Sequence, residues 1–537
     1  MIATKDFALH PDHLYLSGTE IDLFTLSLIA ERKIAISLSD RAIVQVERGR
    51  DSFLKALAGG QQIYGATTGV GALKDVEQHG PEMLEYARAL PFAHQVAVGD
   101  EVTPEATRLT VALRLNSALT GQVGVSVDFV RFLEKMLQHD LLPVLNRRGS
   151  AGAADLGQMG QLATVMAGEG MVRLKGILMP AAQALAAVGM QPHRMPPRDG
   201  LAASASNSYG LAKAVLHVMR AARSLRLEMS LASLGAQAMG LNRDVWRAAM
   251  MNGLAQEHAV ADWLLSVTRD ADWPAAERVH DPLSGRMLAQ IMGASANALR
   301  EAGQSVRAET SHVDDNPVIM NDRVVTSGGS LLLSLSMQLA SVQLALAHMA
   351  RNAFNRCLLM VNGQLEGLPV NLVPPGIIAT GYGPVMKLAL EQTVRVTDSS
   401  APVSVLNLAV AAGLEDEAAF ISLSAGRLKE QLDAIDWLQA IEGMLAAQAL
   451  DLRGIAPANG PATLLYQTIR QHVPSLTRDL PQSAALTAIH QKFRSSDFLA
   501  ELLAAAPFLP FDETLGIAPG DKTAGNAAMR PQQESSR

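Results

Sequence analysis

Cysteine is nearly missing from this chain. Cys357 is the only one in 537 residues, which excludes an intrachain disulfide and any thiolate metal cluster and fits a reducing compartment. Beside Leu358 and Leu359 it reads as a small buried hydrophobe. Aromatic residues supply only 4% of the chain and β-branched runs are few, so local propensity favours helix. Positive charge is not in excess either. Lys and Arg number 45 against 52 Asp and Glu, a net charge of −7, and the electrostatic footprint of a nucleic-acid binder is absent. The first residues, Met1 to Phe7, lack the charged-then-apolar layout of a secretory signal. The expectation is a cytoplasmic protein with a small-molecule partner, no nucleic acid and no membrane.

Metal-ligand spacings are lacking as well. The 13 histidines are scattered, with no His-Glu-x-x-His pattern, and the run from His312 to Asp315 reads as a turn into Asn316-Pro317. Gly-Asp-Lys-Thr at 520–523 lacks the upstream glycines of a phosphate loop and lies in the tail. Neither a metal nor a cofactor is expected. Residues 331–350 carry no formal charge over a length that can span a bilayer. They also hold Ser334, Ser336, Gln338, Ser341, Gln343 and His348, too many polar groups for a lipid-facing helix, and read as a helix buried on all sides of a bundle.

What the chain does have is length, 48% hydrophobic residues and long helical periodicity. Ser39-Asp40 caps a helix running to about Ala58, and further helical patterns cover 105–121 and 125–139. Residues 161–198, with Gly168, Gly170, Gly176 and a proline-rich end, read as short strands and turns. Beyond them the pattern is helical over about 202–240, 244–268, 281–309, 329–355, 383–395 and 416–450. The class is mainly α. Three regions are expected: an N-terminal active-site domain at 1–200, a central and C-terminal helical bundle at 201–515, and a disordered tail at 516–537. Uncharged stretches on such long helices need neighbours on several sides, which predicts an oligomeric bundle.

Two small-residue loops carry the chemical interest. Tyr64-Gly-Ala-Thr-Thr-Gly-Val-Gly71 reads either as an ordinary turn with a half-buried tyrosine or as a lid holding a phenol over a pocket. A phenol with its ordinary pKa near 10 serves as a base only where nearby positive charge lowers it. The second loop, Asn146 to Gly160, reads as a helix N-terminus with Ser150 or Asp155 as cap, or as backbone that approaches something closely.

Both loops resemble segments of the aromatic amino acid ammonia-lyases, of the histidine ammonia-lyase type. So do Leu113 to Gly124, Asp281 to Ala294, Asp315-Asn-Pro-Val318, Ser327-Gly-Gly329, Gly367-Leu-Pro369 and Glu415-Asp416, in the family's order and approximate spacing. The resemblance implies a mainly α fold of long bundled helices with a small mixed N-terminal part, and a homotetramer with shared active sites. It also implies roles for individual residues. Tyr64 matches the base that removes a proton β to the substrate carboxylate, Arg286 the carboxylate clamp, and Asn316 a second carboxylate contact. Glu415 matches a glutamate facing the ring in the histidine enzymes, and His94 an active-site histidine. Lys387 reads as a solvated helix lysine or as a second ring contact, and Tyr382 as an aromatic face for a methylated cation.

The departures matter as much. Family members build an electrophilic methylidene-imidazolone from an internal Ala-Ser-Gly, and here the place reads Gly152-Ala153-Ala154-Asp155, one residue shorter, with no Ser-Gly. Ala205-Ser206 stands for the supporting Asn-Gly, Leu283 for a tyrosine, Leu414 for a glutamine, Glu417 for a histidine and His280 for a glutamine. An ordinary α-amine leaves poorly without the electrophile, whereas a trimethylammonium leaves unaided as a neutral amine. The resemblance, with these departures, implies a carbon–nitrogen lyase that eliminates trimethylamine from ergothioneine, the trimethylammonium betaine of a thiolated histidine, giving thiolurocanate. The alternatives are a related enzyme acting on another activated amino acid, or a non-catalytic binding relative.

Overall fold

The computed structural model describes residues 13–274 and 278–517. Its frame is set by three long helices, Ser208–Met239, Leu333–Val361 and Ile421–Arg453, packed side by side. At roughly 1.5 Å per residue each spans about 43–50 Å. Every residue from Ser224 to Met239 is buried, polar ones included, as happens only where neighbours surround a helix. Two of the three helices stop at glycines in the left-handed region, Gly240 (φ 62°) and Gly454 (φ 65°), where a side chain would be strained.

The middle of this bundle holds a buried ionic cluster. Arg356 donates to both oxygens of Glu442, at 2.7 and 2.8 Å, and also to Glu228 and Asn352. Gln439 donates to the remaining oxygen of Glu228 at 3.1 Å. Two carboxylates thus share one guanidinium, and burial lifts Glu442 to about 8, with Arg356 opposing and Glu228 adding to the rise.

The N-terminal part is mixed, as expected. Strands His13–Leu16 and Ala35–Leu38 pair in parallel, Val98–Glu101 pairs antiparallel with Asn146–Arg148, and Leu141–Pro143, Met171–Leu174 and Ile177–Pro180 form a three-stranded sheet. The helix Asp40–Ala58 is capped by Ser39, whose hydroxyl accepts the Ala42 amide at 3.2 Å.

Several sequence expectations need correction. The 281–309 pattern is two helices, Leu283–Arg286 and Leu288–Glu309, broken at Met287, and 244–268 is broken at Gly253. The glycine-rich stretch after 160 continues a helix, Leu156–Met166, and adds another, Ala181–Ala187. Gly160 sits in that first helix because the backbone of His94 lies 2.4 Å from where a Cβ would be. Leu333–Val361 is the one helix among the described residues long and apolar enough to cross a membrane, yet it packs against Leu288–Glu309, Met386–Asp398 and Ile421–Arg453. It is not buried on all sides: Met337 is 62% and Leu344 54% exposed, because no other element among the described residues covers that face. Most of the expected tail lies outside the described residues.

Candidate active site

The loop after Gly60 folds back on its own tyrosine. The Tyr64 phenol oxygen accepts the Gly71 amide at 2.8 Å, while Gly69 and Gln78 donate to Val76 and Thr67 to close the turn. Burial raises the phenol above its ordinary value, the Gly71 amide pulls it down, and the carboxylate of Glu415 raises it again. The charge favouring a phenolate here is a backbone dipole rather than a cationic side chain.

Beneath lies the second small-residue loop. Ser150 donates to Asp155, and the Gly152 amide donates to the Ser150 hydroxyl at 3.0 Å. The other Asp155 oxygen accepts the Gly210 amide at 2.6 Å. Asp155 is fully buried, and burial lifts it to about 6 against both hydrogen bonds. The helix N-terminus expected at Leu156 is there, but Asp155 does not cap it, since its carboxylate is turned to Gly210 at the start of the next long helix. Gly152 is required by close approach: a Cβ would fall 2.6 Å from the amide nitrogen of Phe420. Ala154 holds a left-handed conformation, φ 65°, at a cost of about 1–2 kcal/mol for a residue with a side chain.

Asn207 ties this floor together. Its Oδ1 accepts the Ala154 amide at 3.0 Å, its Nδ2 donates to the Ser330 carbonyl at 2.6 Å, and its own amide donates to the buried Asp314. Next to Asp314, Asp315 takes a two-pronged contact from Arg114 at 2.8 and 3.1 Å and one from Arg198 at 2.5 Å, all out of solvent. That cluster fixes Asn316, whose Oδ1 accepts the Ser327 amide at 3.0 Å. Sequence reasoning missed Asn207, Arg198 and Asp315 as a unit, because nothing in their spacing shows that they meet.

The expected site residues fall into two groups. Tyr64 and Glu415 come together, and Phe420, five residues beyond Glu415, donates to Ala151 of the floor at 2.9 Å. Asn316 joins them through Ser327 and Ser330. His94 ends the helix Pro81–His94 with its backbone against Gly160, about 8 Å along the helix from Asp155, and its Nδ1 bonds the Leu90 carbonyl at 2.7 Å.

Arg286 is elsewhere. The Ser284 carbonyl beside it accepts from Asn352 at 2.9 Å, whereas the floor reaches the same helix at its opposite end, where Ala153 bridges to Leu331. From Leu333 to Asn352 is about 28 Å along the helix axis. Lys387 lies toward the Arg286 end. Gln431 bonds Val396 at 2.8 Å and Gln343 at 3.1 Å, which sets the C-terminal end of the Met386–Asp398 helix beside residue 343 and exposed Lys387 roughly 14 Å further along. Tyr382 requires a correction. It is 1% exposed, its amide donates to Asn371 at 2.9 Å, and Arg470 lies beside its phenol, so the turn folds the ring into its own subunit and leaves no free face for a cation.

Comparison with known proteins identifies the family and the fold. The family profile described as aromatic amino acid lyase matches residues 21–471. Histidine ammonia-lyase from Gloeobacter violaceus is 30% identical over 87% of this chain and 93% of its own length. A probable histidine ammonia-lyase from Thermoplasma acidophilum is 26% identical over 91% and 99%. Among solved structures, ergothionase from Treponema denticola, an ergothioneine-degrading enzyme, superposes with a TM-score of 0.88 at 24% identity, covering 91% of this chain and all of that one. Histidine ammonia-lyase from Trypanosoma cruzi gives 0.82 at 21%, covering 94% and 97%. With the fold and nearly the full length matched, the chain belongs to the aromatic amino acid lyase family.

Proposed function

We propose that the protein is a carbon–nitrogen lyase of the ergothionase type, which eliminates trimethylamine from ergothioneine to give thiolurocanate. The observation that carries this reading is the floor itself. Gly152-Ala153-Ala154-Asp155 has no serine to dehydrate and no glycine to cyclise, and its amides are engaged with Ser150, Asn207 and Ser206. The family's internal electrophile does not fit these residues.

A substrate that carries its own leaving group suits what remains. The trimethylammonium charge of the substrate, with the Gly71 amide, offsets the burial that raises Tyr64, and the resulting phenolate takes the β-proton and becomes the neutral phenol. The C–H electrons form the new Cα=Cβ bond, and the C–N electrons leave with nitrogen as neutral trimethylamine. Arg286 grips the carboxylate with its planar fork of donors and Asn316 adds a second contact. Lys387 and Glu415 hold the thioimidazole through charge-assisted hydrogen bonds, and His94 borders the floor.

One subunit does not bring Arg286 or Lys387 to Tyr64 and Glu415, so the clamp and the lysine come from another copy. The exposed face of Leu333–Val361, with Met337 and Leu344, supports a homotetramer whose sites are shared. A reducing, cytoplasmic setting fits the single buried cysteine.

The test is direct. Incubation with ergothioneine should release one trimethylamine per thiolurocanate formed, seen as amine by mass spectrometry and as the new conjugated absorbance. No release at any pH overturns the reading. Ammonia elimination from histidine, the activity in the relatives' names, would require loss of water at residues 153–155, and the intact mass distinguishes the two.

A further inference from the structure

A second phenol holds the tyrosine loop. Tyr86, on the helix Pro81–His94, accepts the Val70 amide at 3.0 Å, one residue before the Gly71 amide that Tyr64 accepts at 2.8 Å. Two phenol oxygens therefore occupy consecutive amides of one short loop. The Tyr64 contact closes the loop on itself, and the Tyr86 contact fastens the closed loop to something outside it.

That something is rigid and belongs to the floor. On its helix Tyr86 shares a face with Leu90 and His94, at i, i+4 and i+8. The helix is pressed against Leu156–Met166, which begins at Asp155: the His94 backbone fills the space where a Gly160 Cβ would sit, and Thr164 donates to the Pro91 carbonyl at 3.4 Å. On another side Gly200 lets the helix approach so closely that a Cβ would fall 2.0 Å from the Ala87 carbonyl oxygen. The helix is thus fixed at both its middle and its end, and Tyr86 is the arm reaching from it to the loop.

We infer that Tyr86 is a positioning residue for the lyase reaction: its phenol oxygen latches the 64–71 loop to the helix behind the floor and so holds Tyr64 over the substrate. The inference rests on the reading of Tyr64 as base. Tyr86 touches no reacting atom. Its contribution is the population of closed loop, and one neutral hydrogen bond corresponds to about a three- to tenfold effect.

Tyr86→Phe keeps the ring and removes the acceptor. In hydrogen–deuterium exchange of the full-length protein, the Val70 amide should exchange at least threefold faster, with the Leu156–Met166 helix and the melting temperature unchanged. With ergothioneine, kcat should fall about three- to tenfold at nearly constant KM. Tyr86→Leu, which also lacks the oxygen, serves the same reading should the Phe variant fail to fold. Unchanged Val70 exchange overturns the latch, and so does faster exchange with wild-type kcat. If the wild-type protein does not turn over ergothioneine, the functional reading fails, and the exchange result alone still decides whether Tyr86 holds the loop.

Discussion

The carboxylate of Asp155 receives the Gly210 amide at 2.6 Å while Ser150 donates to its other oxygen, and burial still lifts it from an ordinary 3.8 to about 6. The folded protein therefore keeps a proton that the unfolded chain has released. The contribution to stability is full below about pH 4 and is lost as pH rises through about 6, at most about 3 kcal/mol. Asp155→Asn retains an acceptor for Gly210 and has no such proton to lose. Its melting temperature should match the wild type near pH 4 and exceed it at pH 7. Parallel profiles would contradict the assignment.

Tyr64→Phe tests the base. Removing a positioned base lowers turnover by about 10²–10⁴-fold. Trimethylamine release should fall accordingly while size-exclusion elution stays as in the wild type. Retention of more than a tenth of wild-type kcat would remove Tyr64 from the mechanism.

The proposed sharing of sites between copies predicts complementation. Tyr64→Phe and Arg286→Ala should each be inactive alone. Co-expressed as mixed oligomers they should recover roughly a quarter of wild-type activity, the share of sites that receive an intact tyrosine from one copy and an intact arginine from another. No recovery in verified mixed oligomers would mean that both residues serve the same site from one chain.

The Arg356 cluster responds to charge in a similar way to Asp155 but over a higher range. Glu442, lifted to about 8, retains its proton when folded, so stability falls between about pH 4.5 and 8. Glu442→Gln should flatten that slope in thermal melts. Arg356→Met should cost about 3–5 kcal/mol by leaving Glu228 buried without its cation and Glu442 without its donor.

Much of this was legible in the residues. Alanine- and leucine-rich periodicity located the long helices within a few positions, since propensity and burial point the same way there. The break at Met287 was not legible because helical residues continue through it, and the run of the Leu156–Met166 helix beyond Gly160 was hidden by glycines that serve packing rather than turning. Tyr64 and the missing Ser-Gly stood out as local patterns. Tyr86, Asn207 and the Arg114–Asp315–Arg198 cluster did not, because their meaning lies in contacts between segments as much as 201 residues apart. Arg286 was legible as a residue, but not as one set beside Asn352, about 28 Å along the helix from the end that meets the floor.

The uncovered face of Leu333–Val361 has a practical corollary. If that face is closed only by a second copy, a lone subunit has no stable resting state of its own, and denaturation becomes a mass-action equilibrium in which every tenfold dilution lowers the midpoint. Stabilities of variants of this protein are comparable only at one protein concentration, and the exposed Met337 becomes one of the residues that sets it.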